Sequence, residues 1–128
     1  MKNVLEKFED LKGLTCTSVV RLDDEIIFML LNGNRFHLYH EQDCCESVTI
    51  DDICGDLSDL ENSEILMAEQ VSNNENPEGV KIPEYQDSFT WTFYKLATIK
   101  GYVTIRWYGA SNGYYSERVD FGPLVKIN

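Results

Sequence analysis

With 128 residues, 43% of them hydrophobic, the chain is long enough for one buried core and cramped for two, so a single domain over residues 1–128 is expected. The formal net charge of −11 is uneven: every acid except Glu117 and Asp120 precedes Ser88, and no Lys or Arg lies between Arg35 and Lys81. That balance disfavours coating of DNA or RNA, which needs an extended basic surface, but allows a small anion in a local basic pocket, because close contacts act within a screening length of roughly 8 Å.

In chain order, Asn3–Lys12 has the marks of a short helix: Asn3 as N-cap, Glu6 three residues on, Val4, Phe8 and Leu11 on one stripe, and Gly13 as the stop. This segment lacks the apolar centre of a signal peptide. No run in the chain approaches the ~18 apolar residues of a membrane span, so a cytoplasmic location without membrane contact is expected. Leu14–Leu22, Glu25–Leu31 and Arg35–His40 follow as a meander turned at Asp23-Asp24 and Asn32-Gly33. Pairing Leu31 with Asn34 gathers Ile27, Met29, Phe36 and Leu38 on one face, and Ile26, Phe28, Leu30, His37 and Tyr39 on the other. Both faces are then apolar, and each needs a covering layer, either a helix plus a second sheet or a subunit interface.

His37 and His40 lack the Ser or Cys context of a nucleophile motif and read as strand residues near a sheet edge. Cys16, Cys44, Cys45 and Cys54 form neither a disulfide framework nor a complete metal knuckle, so free, partly buried thiols and no bound metal are expected. Ser47–Ile50 reads as a short strand. Asp51–Asn62 has acids at its start and Ile53, Leu57 and Leu60 at helical spacing around Gly55, giving one or two helical turns. Glu64–Ser72 reads as another strand, although Leu66, Met67 and Ala68 would also sit in a helix. Asn73–Asp87 has no periodic pattern and is either a solvated loop or a lid over the segment that follows.

That segment, Ser88–Arg118, holds both tryptophans and most of the aromatic residues. It reads as a three-stranded meander: Phe89–Thr98, a Lys100-Gly101 turn, Tyr102–Ala110, an Asn112-Gly113 turn, and a strand from Tyr114. Alternation puts Phe89, Trp91, Phe93 and Lys95 on one face, and Thr92, Tyr94 and Leu96 on the other. Pairing Ile99 with Tyr102 adds Tyr102, Thr104, Arg106 and Tyr108 to the first face and Val103, Ile105 and Trp107 to the second. A two-residue change in the turn keeps these faces, whereas a one-residue slip swaps them. The first face suits a ligand planar in one part and anionic in another, such as a nucleotide. The other reading is a second packing face with Lys95 and Arg106 snorkelling at its edge.

The run WTFYKLATIKGYVTIRWYGASNGYYSE, with HEQDCCE from His40 and DICGDL from Asp52, resembles the first-described family of phage anti-Thoeris proteins over roughly residues 14 to 121. The resemblance implies a non-catalytic cytoplasmic sponge that binds cyclic ADP-ribose isomers such as glycocyclic ADP-ribose. It also implies a homo-oligomer, a dimer or higher up to a hexamer, with pockets between protomers, and in some members a separate site for cyclic oligonucleotides. No cofactor is expected. The contact residues are not placed by the resemblance but follow from the aromatic face: Trp91 and Phe93 are expected to stack the adenine, Arg106 and Arg118 to hold the pyrophosphate, and Tyr108 and Asn112 to bond ribose hydroxyls. Arg118 falls on the Trp107 face if Ser111 pairs with Tyr114, so it reaches the site only at the sheet edge or from another protomer. Arg21 and Arg35 are the next phosphate candidates.

The chain has no phosphate loop, nucleophile elbow or paired-carboxylate motif. The expected fold is α+β: seven to eight mostly antiparallel strands, a short N-terminal helix and one small middle helix. The rival functions are an acidic protein-binding inhibitor that uses Glu41–Glu78 against a basic partner, and a hydrolase of cyclic nucleotides.

Overall fold

The computed structural model describes residues 5–80 and 86–124. Eight strands build two four-stranded antiparallel sheets. The first contains β1 (Cys16–Leu22), β2 (Glu25–Leu30), β3 (Arg35–Tyr39) and β8 (Asp120–Pro123), adjacent in that order. The second contains β4 (Ser47–Cys54), β5 (Met67–Asn73), β6 (Ser88–Thr98) and β7 (Gly101–Ser111), in the order β4-β7-β6-β5. The inner faces share one core. Val19, Ile26, Phe28, Phe36 and Leu38 come from the first sheet, and Ile50, Tyr94, Leu96, Ile105 and Trp107 from the second.

The fold is richer in β-structure than the α+β expectation, because each expected helix shrinks to one 3-10 turn. Phe8–Leu11 is the first, with Asp10 accepting from the Glu6 and Lys7 amides. The expected cap at Asn3 lies outside the described residues. Phe8 fills the gap between the sheets: its ring is 4.7 Å from Tyr94 and 6.3 Å from Phe28, both edge-on. So short an element is held by docking rather than by its own propensity. The second turn is Leu57–Leu60, started by Asp56, whose side chain accepts from the Ser58 amide. Asp51–Cys54 belongs to β4 rather than to a helix, because the strand continues through a bulge between Ile50 and Asp52 and stops only at Gly55, at φ 100°.

Register decides which residues are available for function. In the first sheet Phe28 pairs with Phe36 and Ile26 with Leu38, one residue away from the expected Leu31–Asn34 pairing. The connection is a three-residue loop with Gly33 at φ 90°, and the Leu30 amide bonds to Asn34. The slip collects Ile26, Phe28, Leu30, Phe36 and Leu38 on the core side. Ile27, Met29, His37 and Tyr39 lie outside, where His37 stacks on Tyr39 at 4.0 Å and bonds Glu25 at 2.5 Å. In the second sheet Thr98 pairs with Gly101 rather than Ile99 with Tyr102: the two-residue turn sits one position earlier, the register shifts by two, and both predicted faces survive. The strand expected from Tyr114 is absent among the described residues. There β7 is followed by a loop, and the chain crosses to the first sheet as β8.

Cys44 and Cys45 are joined by a disulfide, against the expectation that all four cysteines are free. Cys54 is an exposed free thiol, and Cys16 is a buried one whose thiol is pushed up to about 12 by burial and then by Glu61. No described helix is long and apolar enough to cross a membrane.

Candidate site on the outer aromatic face

The outer face of the second sheet carries Phe89, Trp91 and Phe93 from β6, opposite Ala110, Tyr108 and Arg106 of β7. Trp91 sits 4.5 Å from the Tyr108 ring, and the Arg106 guanidinium lies over the indole at 5.4 Å. The β4 bulge brings Asp51 onto this face, where it takes Arg106 Nε at 2.8 Å and a second guanidinium nitrogen at 2.5 Å. The same guanidinium thus touches both the indole and a carboxylate.

The centre of this face is covered. Trp91 is only 2% exposed, although it lies on the outside of its sheet. Its cover includes the two described ends of the 73–87 loop. The indole Nε1 donates to Asn76 Oδ1 at 3.1 Å, the Asn76 and Gln86 carboxamides bond each other at 3.0 and 3.1 Å, and Gln86 Nε2 donates to Tyr108 Oη at 2.8 Å. Trp91 is therefore covered rather than openly presented on the sheet surface.

Of the six residues singled out from sequence, Trp91, Phe93, Arg106 and Tyr108 share this face. Asn112 lies beyond the end of β7, where its side chain accepts from the Tyr114 amide. Arg118 lies with the inner-face residues Thr90 and Thr92 instead, pairs with Asp120 at 2.9 Å and borders a cleft of about 350 Å³ with His40, Glu41 and Asp43. Arg21 is exposed and donates to the Asp23 carbonyl; Arg35 lies on the outer face of the first sheet beside Met29. Sequence reasoning missed Asp51, Asn76 and Gln86. The acid was hidden in an apparent helix start, and the two amides in a segment without periodicity.

A protein-family model, described as a domain of unknown function, DUF7448, matches residues 9–121. The chain belongs to the DUF7448 family. No curated protein and no solved structure matches it.

A second polar region of the DUF7448 domain lies where the sheets part. The inner-face residues Gln70, Ser72, Thr90 and Thr92, with Glu117 and Arg118, line a cleft of about 410 Å³. Glu117 accepts from Thr90 at 2.8 Å and Ser111 at 2.5 Å. Its backbone presses on Gly109, where an added Cβ would lie 2.7 Å from the Glu117 carbonyl oxygen. Nearby, Glu46 is buried and accepts from the Asp43 and Cys44 amides and from His40 Nε2. His40 Nδ1 faces the Arg118 carbonyl at 2.7 Å. Both ring nitrogens of His40 thus face oxygen atoms.

The Cys44 and Asp43 amides, and then His40, hold the Glu46 carboxyl down to about 2, against the desolvation that raises it. Its contribution to stability is present above its ordinary value of 4.5 and is lost as pH falls from there towards about 2. Thermal midpoints measured between about pH 5 and pH 2.5 are expected to fall more steeply for the wild type than for Glu46→Gln. Parallel curves would remove Glu46 from the acid limb.

Proposed function

We propose that this DUF7448 domain is a non-catalytic binder that sequesters a cyclic ADP-ribose-type signal, glycocyclic ADP-ribose in the first instance, and so blocks the immune response that the signal triggers. The observation that carries the reading is the Arg106 guanidinium lying over Trp91, an outer-face indole covered by Asn76 and Gln86 from the described ends of the 73–87 loop. Rings supply the surface a base stacks on, and a guanidinium supplies the fork a phosphate accepts. Closure matters as much as composition, because sequestration rests on slow release. Nanomolar affinity corresponds to about −12 kcal/mol, which a dry, covered site approaches more readily than an open sheet.

Phe93 and Tyr108 complete the site from within one chain. Asn112 and Arg118 lie outside it, so further phosphate contacts come from a second protomer in the proposed homo-oligomer. The test is calorimetry of the purified protein with glycocyclic ADP-ribose, followed by heat release and mass analysis of the bound fraction. The expected result is tight binding and recovery of the intact ligand. A linearised product would instead make the protein a hydrolase, and absence of binding would turn attention to the acidic surface and a basic protein partner.

A further inference from the structure

The closed loop holds a donor and acceptor pattern that resembles base recognition. An indole N–H can only donate, so its contact at 3.1 Å fixes Asn76 with Oδ1 towards Trp91. Asn76 Nδ2 then donates to Gln86 Oε1 at 3.0 Å, and Gln86 Nε2 returns to Asn76 Oδ1 at 3.1 Å. Asn76 thus offers Gln86 an adjacent acceptor and donor on one flat edge. A carboxamide offers the same edge to the N6 amino group and N7 of an adenine. Gln86 presents to it the matching donor and acceptor, as the base would.

We propose that Asn76 is the base-reading residue of the aromatic site and that Gln86 is an internal stand-in for the base, displaced when an adenine arrives. This rests on the nucleotide-binding reading above and adds its specificity determinant. Asn76 keeps its bond to Trp91 throughout, since a carbonyl oxygen accepts two hydrogen bonds, so the reader is oriented before the ligand binds. Gln86, on the far side of the loop, loses its partner on exchange and frees the cover over Tyr108. The closed form therefore taxes binding, because the competent state must first give up an internal pair.

The experiment measures calorimetric affinity for glycocyclic ADP-ribose and for its counterpart carrying hypoxanthine, in which the N6 donor becomes an O6 acceptor. The wild type is expected to favour the adenine ligand by roughly tenfold or more. Asn76→Leu is expected to bring the two affinities within about twofold of each other, since the discriminating bonds are gone. Gln86→Ala is expected to bind the adenine ligand severalfold more tightly while keeping the preference, because only the competitor has been removed. Circular dichroism checks that both variants are folded. A preference that survives Asn76→Leu, or weaker binding by Gln86→Ala, overturns the proposal. Equal wild-type affinity for the two ligands overturns it while leaving the nucleotide reading standing; failure of the wild type to bind either removes both.

Discussion

Arg106→Ala is expected to weaken binding of glycocyclic ADP-ribose by roughly a hundredfold or more while leaving the fold intact. The two halves of this expectation have separate causes. In the ligand-free protein the guanidinium is about one quarter exposed and pairs with a partly exposed Asp51, an arrangement worth only about 1 kcal/mol or less to stability. In a closed complex the same guanidinium would face a phosphate with little water between them, and truncation would leave that charge unpaired. Asp51→Asn separates the roles, because it releases the guanidinium without removing it and should hold or raise affinity. Binding is read by calorimetry and stability by thermal melting. Equal affinity for Arg106→Ala and wild type would remove this cation from the site.

Gly55→Ala is expected to destabilise the domain by on the order of 3 kcal/mol, with a fall in melting temperature of roughly 10 °C. Gly55 ends β4 at φ 100°, a conformation that costs an L-residue about 1–2 kcal/mol. A Cβ there would also lie 2.4 Å from the Tyr102 carbonyl oxygen and 3.2 Å from Val103 Cα. Those atoms are the backbone of β7, so no side chain can swing aside. Gly33→Ala is the control: its φ is 90°, but nothing lies within 4 Å of the added carbon. It should lose only the conformational part, about 1 kcal/mol. Equal losses at the two positions would show that close approach to β7 plays no part.

The two long strands of the aromatic segment were legible because Phe89–Thr98 and Tyr102–Ala110 alternate cleanly, and a two-residue shift in register left every side chain on its predicted face. The first hairpin was less forgiving. Leu31-Asn32-Gly33 is an odd-length loop, and the one-residue slip gives Ile26 the Leu38 expected opposite Ile27 and leaves Ile27 opposite His37. Helices were over-read where short apolar spacings, such as Ile53, Leu57 and Leu60, matched a helical stripe across a strand end and a turn. For the site, periodicity found the sheet residues Trp91, Phe93, Arg106 and Tyr108. It had no means of finding Asn76 and Gln86, whose positions follow from a loop folding back rather than from any repeat.

The first sheet is completed by the last strand described. Tyr39 pairs with Asp120 and Phe36 with Pro123, so β3 waits for almost the whole chain before its open edge is matched. Closing so long a loop is entropically costly and slows folding, and until it closes the exposed backbone of β3 is a template for any other extended segment. A ribosome-bound chain would thus carry an unfinished sheet until Asp120–Pro123 emerge. Truncation before Asp120 is therefore expected to reduce soluble yield by promoting aggregation during synthesis, even though every residue of the aromatic site is retained.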